Sequence, residues 1–241
     1  SFFSLYANVD CFDYSQPDVD LCDRPEIDRW ILSVLHSLIK NVTAELDGYD
    51  PTKAGRMIDS FVNDDLSNWF VRLNRKRFWG KEMSRDKLSA YQTLYTCLET
   101  VARLLAPFAP FYADQLYLDL IAVTKRDNVC SVHLARFPEA DERFIDKELE
   151  ARMGLAQKIT SMVLALRRKV NIKVRQPLQE IMIPAVDNEQ RKHIEAVKDL
   201  ILNEVNVKDL KFAEGSSVLV KKVKCNFRTM GKKYGKLMKD I

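Results

Sequence analysis

The sequence predicts a mainly α fold: an antiparallel helical bundle over residues 1–176, followed by a small α+β unit over 177–241. Three observations predict it. Apolar residues recur at helical spacing through several long stretches. The breaks between those stretches are short and place Pro, Gly, Asp or Ser at helix boundaries. After Pro177 the apolar period falls to two, the period of a strand. With 241 residues, 46% hydrophobic and 30% charged, the chain can bury a substantial core.

Taken in order, residues 1–22 pass from apolar to acidic around Pro17, which predicts a short helix and then a loop. Ile27, Trp30, Ile31, Val34, Leu35, Leu38, Ile39, Val42 and Leu46 make an unbroken amphipathic stripe, with Pro25 near its first turn and Gly48 just past its end. His36 lies mid-stripe, where a surface or hydrogen-bonded histidine is the ordinary reading. Asp50 and Pro51 serve as N-cap and first residue of a second helix. Its stripe of Ala54, Ile58, Phe61, Val62, Leu66, Trp69 and Leu73 leads into a basic end. Ser84 caps a third helix, although Lys87 stands where a capping box would place an acid. Leu88, Tyr91, Tyr95, Leu98, Ala102 and Leu105 form its stripe. Pro107 and Pro110 interrupt the chain, and Phe111, Tyr112, Leu116 and Leu120 predict a fourth helix. Residues 131–138 read as extended. A fifth helix is expected from about Asp141 to Val170, on Ile145, Leu149, Ala156, Ile159, Val163 and Leu166. Beyond Pro177, residues 178–184 and 205–212 pattern as strands around a helical 188–203. Residues 218–225 pattern as a further strand and 228–240 as a basic helix.

Charge narrows the function classes. The net charge is only +4, but it is unevenly placed. Residues 1–28 carry Asp10, Asp13, Asp18, Asp20, Asp23, Glu26 and Asp28 against Arg24 alone. Residues 151–179 carry Arg152, Lys158, Arg167, Arg168, Lys169, Lys173 and Arg175 with no acid, and 215–239 is a further acid-free block rich in lysine. Separate basic blocks point to a polyanionic partner. The five cysteines are scattered without a C-x-x-C pair, and three histidines supply no zinc spacing. Free thiols in a reducing cytosol are therefore expected. No apolar run approaches the length of a membrane span, and no basic region precedes the N-terminal apolar residues as in a signal peptide. The chain starts at Ser1 without Met and is read as a piece of a longer protein.

Catalytic motifs are missing as well. Dinucleotide, phosphate-loop, zinc-protease and nucleophile-elbow patterns do not occur. Gly231–Lys236 has glycines and lysines but lacks the Ser or Thr that would hold magnesium. Asp64 and Asp65 are adjacent and so face different sides of a helix. No catalytic residue and no metal ligand is expected.

The distinctive stretch is 66–81, which holds Arg72, Arg75, Lys76, Arg77 and Lys81, no acid, and Trp69, Phe70, Phe78 and Trp79 among them. On an ideal helix Asn68, Arg72, Arg75 and Trp79 share one face. Guanidinium groups beside an indole suit phosphates and unstacked bases. The alternative is a solvated helix end whose cations complement the helix dipole, with Gly80 as the residue after the cap. Trp69 and Phe78 are expected in the core.

These same residues, read as "LSNWFVRLNRKRFWG", closely resemble the signature helix of the anticodon-binding domain of class I isoleucyl-tRNA synthetases. "IDRWIL" (27–32), "YQTLYTCLETVARLLAPFAPFYAD" (91–114), "SVHLARFP" (131–138), "VRQPLQEIMIP" (174–184) and "GKKYGKLMKDI" (231–241) resemble the same enzymes in the same order. "RFW" and "APFAPF" are shared with the valyl, leucyl and methionyl relatives. Their combination with "SVHLxxFP" and "VRQPL" favours the isoleucyl family, nearest its eukaryote-like branch. The resemblance implies a cytoplasmic, monomeric parent enzyme that uses ATP and magnesium to join isoleucine to its tRNA and edits mischarged valine. The HIGH and KMSKS signatures are absent from this chain, so the chain itself is expected to bind tRNA without cofactor or catalysis. Under that resemblance Arg72, Arg75, Arg77 and Trp79 are the leading tRNA contacts. Arg167, Arg168, Lys169 and Arg175 form a second, phosphate-tracking set. A helical interaction module without RNA specificity is the other reading.

Overall fold

The computed structural model describes residues 2–80, 82–126, 129–184 and 188–213. Lys81, the strand expected at 218–225, the helix expected at 228–240 and the lysines of 221–239 lie outside the described residues. Two compact units divide the chain, Ser1–Gln157 and Lys158–Ile241.

In the first unit, α1 (Phe2–Val9) is followed by an acidic loop and then by α2 (Glu26–Asp47). Pro25 stands at the N-cap of α2. The turn after it uses a left-handed residue, Tyr49 (φ 58), while Gly48 stays at φ −81. Asp50 caps α3 (Pro51–Ser60) through the amide of Lys53 at 2.9 Å, a contact worth about 1 kcal/mol. The helix runs on as an eleven-residue π segment, Phe61–Val71, and ends as α4 (Arg72–Trp79). Ser84 caps α5 (Arg85–Leu105) as expected, accepting from the Lys87 amide at 3.1 Å. Pro110 opens α6 (Pro110–Thr124). The long helices pack as the predicted bundle: α2 against α3, the π segment and α5, and α5 against α6. Trp30, Ile31, Leu35, Ile58, Phe61, Phe70, Phe78, Tyr91, Leu94 and Leu104 are almost fully buried.

Polar residues between the α5 stripe positions have a purpose that periodicity does not show. Gln92, fully buried, accepts from the Val19 amide and donates to the Pro17 carbonyl, both at 2.9 Å. Thr93 accepts from Arg24 at 2.7 Å. Together they fasten the acidic loop to α5, satisfying backbone groups that would be costly to bury alone.

Several expectations need correction. Residues 131–138 are not extended throughout. Ser131 opens a 3₁₀ turn at Val132–Leu134, and the Asp114 carboxylate accepts from both the Ser131 hydroxyl and the Val132 amide at 2.8 Å. The fifth helix, α7 (Lys147–Lys169), starts later than expected, because Asp141 caps a separate 3₁₀ turn, Glu142–Phe144. In α6, Phe111 and Tyr112 are exposed, while Ala113, Tyr117 and Ile121 face the core. His36 is hydrogen-bonded as expected: its Nδ1 accepts from the Asp141 amide at 3.1 Å, and its ring stacks on Phe144 at 4.5 Å.

In the second unit, β1 (Leu178–Pro184) and β2 (Val207–Ala213) pair in parallel, Leu178 opposite Val207 and Pro184 opposite Ala213. Parallel strands need a crossover, and α8 (Asn188–Ala196) with α9 (Lys198–Val205) supplies it. Asn206, at φ 52, ends α9 in the left-handed conformation, which asparagine tolerates.

Candidate nucleic-acid interface

The basic segment reaches solvent through a change of helical pitch. Ile58, Phe61, Leu66, Phe70, Asn74 and Phe78 are buried. From Phe61 to Leu66 the step is five residues and from there to Phe78 it is four at a time, wider than the 3.6 of an α-helix because the π segment Phe61–Val71 widens the turn. The inward face therefore passes through Phe70 and Asn74 instead of Leu73, which is only partly buried. Trp69 and Phe78 are core residues, as expected. Asn68, Arg72, Arg75, Lys76 and Trp79 are exposed, so the outward face read from the sequence survives the shift. Arg72 lies with its guanidinium 5.7 Å from the Trp69 ring centre, and Trp79 is 59% exposed.

Arg77 is different. Its side chain is turned inward, to Asp28, which is 0% exposed on α2. The two guanidinium NH₂ groups donate to the Asp28 carboxylate at 2.5 and 2.9 Å. Further donations go to Asn74 Oδ1 at 3.0 Å, the Asp86 carboxylate at 2.9 Å and the Asp86 carbonyl at 2.7 Å. Ser89 completes the Asp28 shell at 2.6 Å. Burial opposes the charge on Arg77, but the carboxylates of Asp28 and Asp86 outweigh it and hold its pKa above the ordinary guanidinium value. This arginine ties α4 to α2 and α5, and its donors are already taken. It leaves the set of RNA-facing candidates for that reason.

The end of α4 is also built from residues that periodicity did not mark. Gly80 has φ −59 and ψ 146, so no left-handed glycine turn closes the helix. Instead Lys87, 2% exposed, donates to the Gly80 carbonyl at 2.5 Å and pairs with Asp10 at 2.6 Å. The Tyr91 hydroxyl donates to the same Asp10 carboxylate. Burial first, and then that carboxylate, pushes the Tyr91 phenol well above its ordinary pKa. A buried lysine needs such partners.

These contacts account for much of the N-terminal acidity. Asp10 meets Lys87, Asp18 meets Arg126, Asp23 meets Arg85, Glu26 meets Arg152 and Asp28 meets Arg77. The acidic segment is largely neutralised within the first unit, while Arg75 and Lys76 stay outward.

The second basic set divides in the same manner. Arg167 is 3% exposed and gives its guanidinium to three backbone carbonyls, Lys173 at 3.1 Å, Gln176 at 3.0 Å and Asn206 at 2.9 Å. It clamps the end of α7 to the loop before β1 and the turn before β2, and so it too leaves the candidate set. Its neighbour Leu166, expected in the stripe, is 62% exposed instead. Arg168, Lys169 and Arg175 are exposed in this second unit. Asp28, Lys87, Asn74 and Ser89, which hold α4 in place, carry no signal in the sequence beyond being polar residues at helical positions.

Comparison with known proteins places the chain in a family. Residues 28–183 match the family described as "Anticodon-binding domain of tRNA ligase". The whole chain is 69% identical to part of the isoleucine–tRNA ligase of Bacteroides thetaiotaomicron, 57% to that of Porphyromonas gingivalis and 40% to that of Thermus thermophilus. It spans 21% of the first two relatives and 23% of the third.

Proposed function

Since the chain belongs to the family of anticodon-binding domains of tRNA ligases, we propose that it is the tRNA-reading part of an isoleucine–tRNA ligase. The observation that carries this reading is α4 itself. Arg72, Arg75, Lys76 and Trp79 are outward, on a helix braced from behind by the Arg77–Asp28 and Lys87–Asp10 pairs. Arg72 and Arg75 contact phosphates or base edges, and Trp79 offers an aromatic face to a base splayed from the anticodon loop. Arg168, Lys169 and Arg175 track phosphates further along the tRNA. Phosphate contacts position the RNA, and base contacts identify it.

In this proposal the tRNA-binding bundle extends through residue 176, and 177–241 is a small appended unit. The parent enzyme is cytoplasmic, acts as a monomer, belongs to the eukaryote-like branch, and hydrolyses mischarged valine because one methylene gives too little discrimination. ATP and magnesium serve the parent reaction. Among the described residues no three His, Cys, Asp or Glu side chains are placed to hold a metal ion. No described helix is long and apolar enough to cross a membrane.

The test is a salt-dependent titration of isoleucine tRNA against Arg75→Ala and Trp79→Ala. Arg75→Ala should lower the log–log salt slope by about one. Trp79→Ala should weaken binding by about 1–3 kcal/mol with the slope unchanged. If both variants bind as the parent chain does, the bundle is an interaction module and the RNA reading is wrong.

A further inference from the structure

The Trp79 indole is held from outside its own helix. Its Nε1–H donates to the Tyr6 hydroxyl of α1 at 2.8 Å. Tyr6 is seated in turn by its ring contacts, with Phe2 at 4.8 Å and Phe78 at 6.3 Å. Phe2 stands edge-on to Phe78 at 5.2 Å, and Phe78, 2% exposed, stands edge-on to the buried Tyr91 at 4.9 Å. A continuous aromatic chain thus runs from the core to an indole that is 59% exposed. The next residue is fixed as well, because Lys87 holds the Gly80 carbonyl.

The single polar atom of the indole is engaged, and its ring faces are not needed for that bond. An unheld Trp side chain loses rotamer freedom when it stacks on a ligand, at a cost that a pre-set ring avoids. We infer that Tyr6 is a positioning residue for base recognition: its hydroxyl fixes the plane of Trp79, so that an unstacked nucleobase meets a ring already oriented. This rests on the reading of α4 as the tRNA-facing helix. Tyr6 acts through Trp79 and makes no base contact of its own.

The experiment is a double-mutant cycle on the full 241-residue chain, with isoleucine tRNA as the probe. Tyr6→Phe keeps the ring contacts with Phe2 and Phe78 and removes only the hydroxyl. It should weaken binding about 3- to 10-fold with the salt slope unchanged. The same substitution in a Trp79→Ala background should change nothing. The ¹⁵N-indole resonance of Trp79 should shift and exchange faster with solvent in Tyr6→Phe. If Trp79→Ala weakens binding while Tyr6→Phe binds normally, the positioning role is overturned and the RNA reading stands. Equal losses in both backgrounds also overturn it, since Tyr6 would then act independently of the indole. If Trp79→Ala itself binds normally, the role of Trp79 in the RNA reading and the role of Tyr6 fall together.

Discussion

Removing the guanidinium of Arg77 tests whether this arginine is a brace rather than an RNA contact. Arg77→Met keeps the aliphatic stem but deletes every hydrogen bond that the guanidinium gives to Asp28, Asn74 and Asp86. The Asp28 carboxylate, 0% exposed, keeps the Ser89 hydroxyl as its hydrogen-bond donor. Breaking a buried ion pair from one side costs about 3–5 kcal/mol, mostly as the penalty of the stranded charge. The exposed Arg85–Asp23 pair, with side chains 70% and 46% exposed, supplies the control, because Arg85→Met should cost about 0–1 kcal/mol. Urea unfolding followed by far-ultraviolet circular dichroism measures both. Adding Asp28→Asn to Arg77→Met removes the stranded charge and should recover part of the loss. Below the unfolding transition, Arg77→Met should retain the salt slope of tRNA binding. A loss below about 1 kcal/mol, equal to that of Arg85→Met, would refute the assignment of Arg77 as a buried brace.

Asp65 should behave in the opposite sense. Burial raises its pKa, the charges of Asp64 and Glu150 add to that, and only the hydrogen bond from Gln157 opposes it. A carboxylate whose folded pKa lies above its unfolded value destabilises the fold at higher pH, and the penalty vanishes below the unfolded value. Asp65→Asn keeps an acceptor for Gln157. It should raise the unfolding midpoint at pH 7 and lose that advantage as the pH falls through the unfolded carboxylate value near 3.8; destabilisation at pH 7 would sink the idea. In the second unit, Arg167→Lys cannot serve the carbonyls of Lys173, Gln176 and Asn206 together. It should cost about 1–3 kcal/mol there. Amide exchange in β1 and β2 should quicken while that of α2 and α5 stays as it was; unchanged exchange in the strands would argue against the clamp.

Most of the architecture was legible because it rests on local rules. The α2 stripe, the Asp50–Pro51 start, the Ser84 cap and the two strands among the described residues of the second unit follow from periodicity and boundary chemistry, and each is present. What escaped was tertiary. A π segment is invisible to a 3.6-residue period, which points Leu73 inward where the helix turns Phe70 and Asn74 inward instead. Five cations in one stretch also look alike in sequence. Only the fold shows that Arg77 meets a carboxylate 49 residues away, while Arg75 faces outward. Likewise 131–138 patterns as extended, and the Asp114 carboxylate, accepting from Ser131 and Val132, sets a turn at Val132–Leu134 within it. Charge alone does not separate a brace from an exposed cation, so the sequence pattern groups Arg77 and Arg167 with cations that the fold leaves in solvent.

The central claim, that this bundle reads a tRNA anticodon, is tested most directly by titrating the 241-residue chain with isoleucine tRNA and with the same tRNA carrying a swapped anticodon, across a range of salt. Binding should fall steeply with salt for both, with the swapped tRNA weaker by about tenfold or more at every concentration. Equal binding of the two, insensitive to salt, would contradict it.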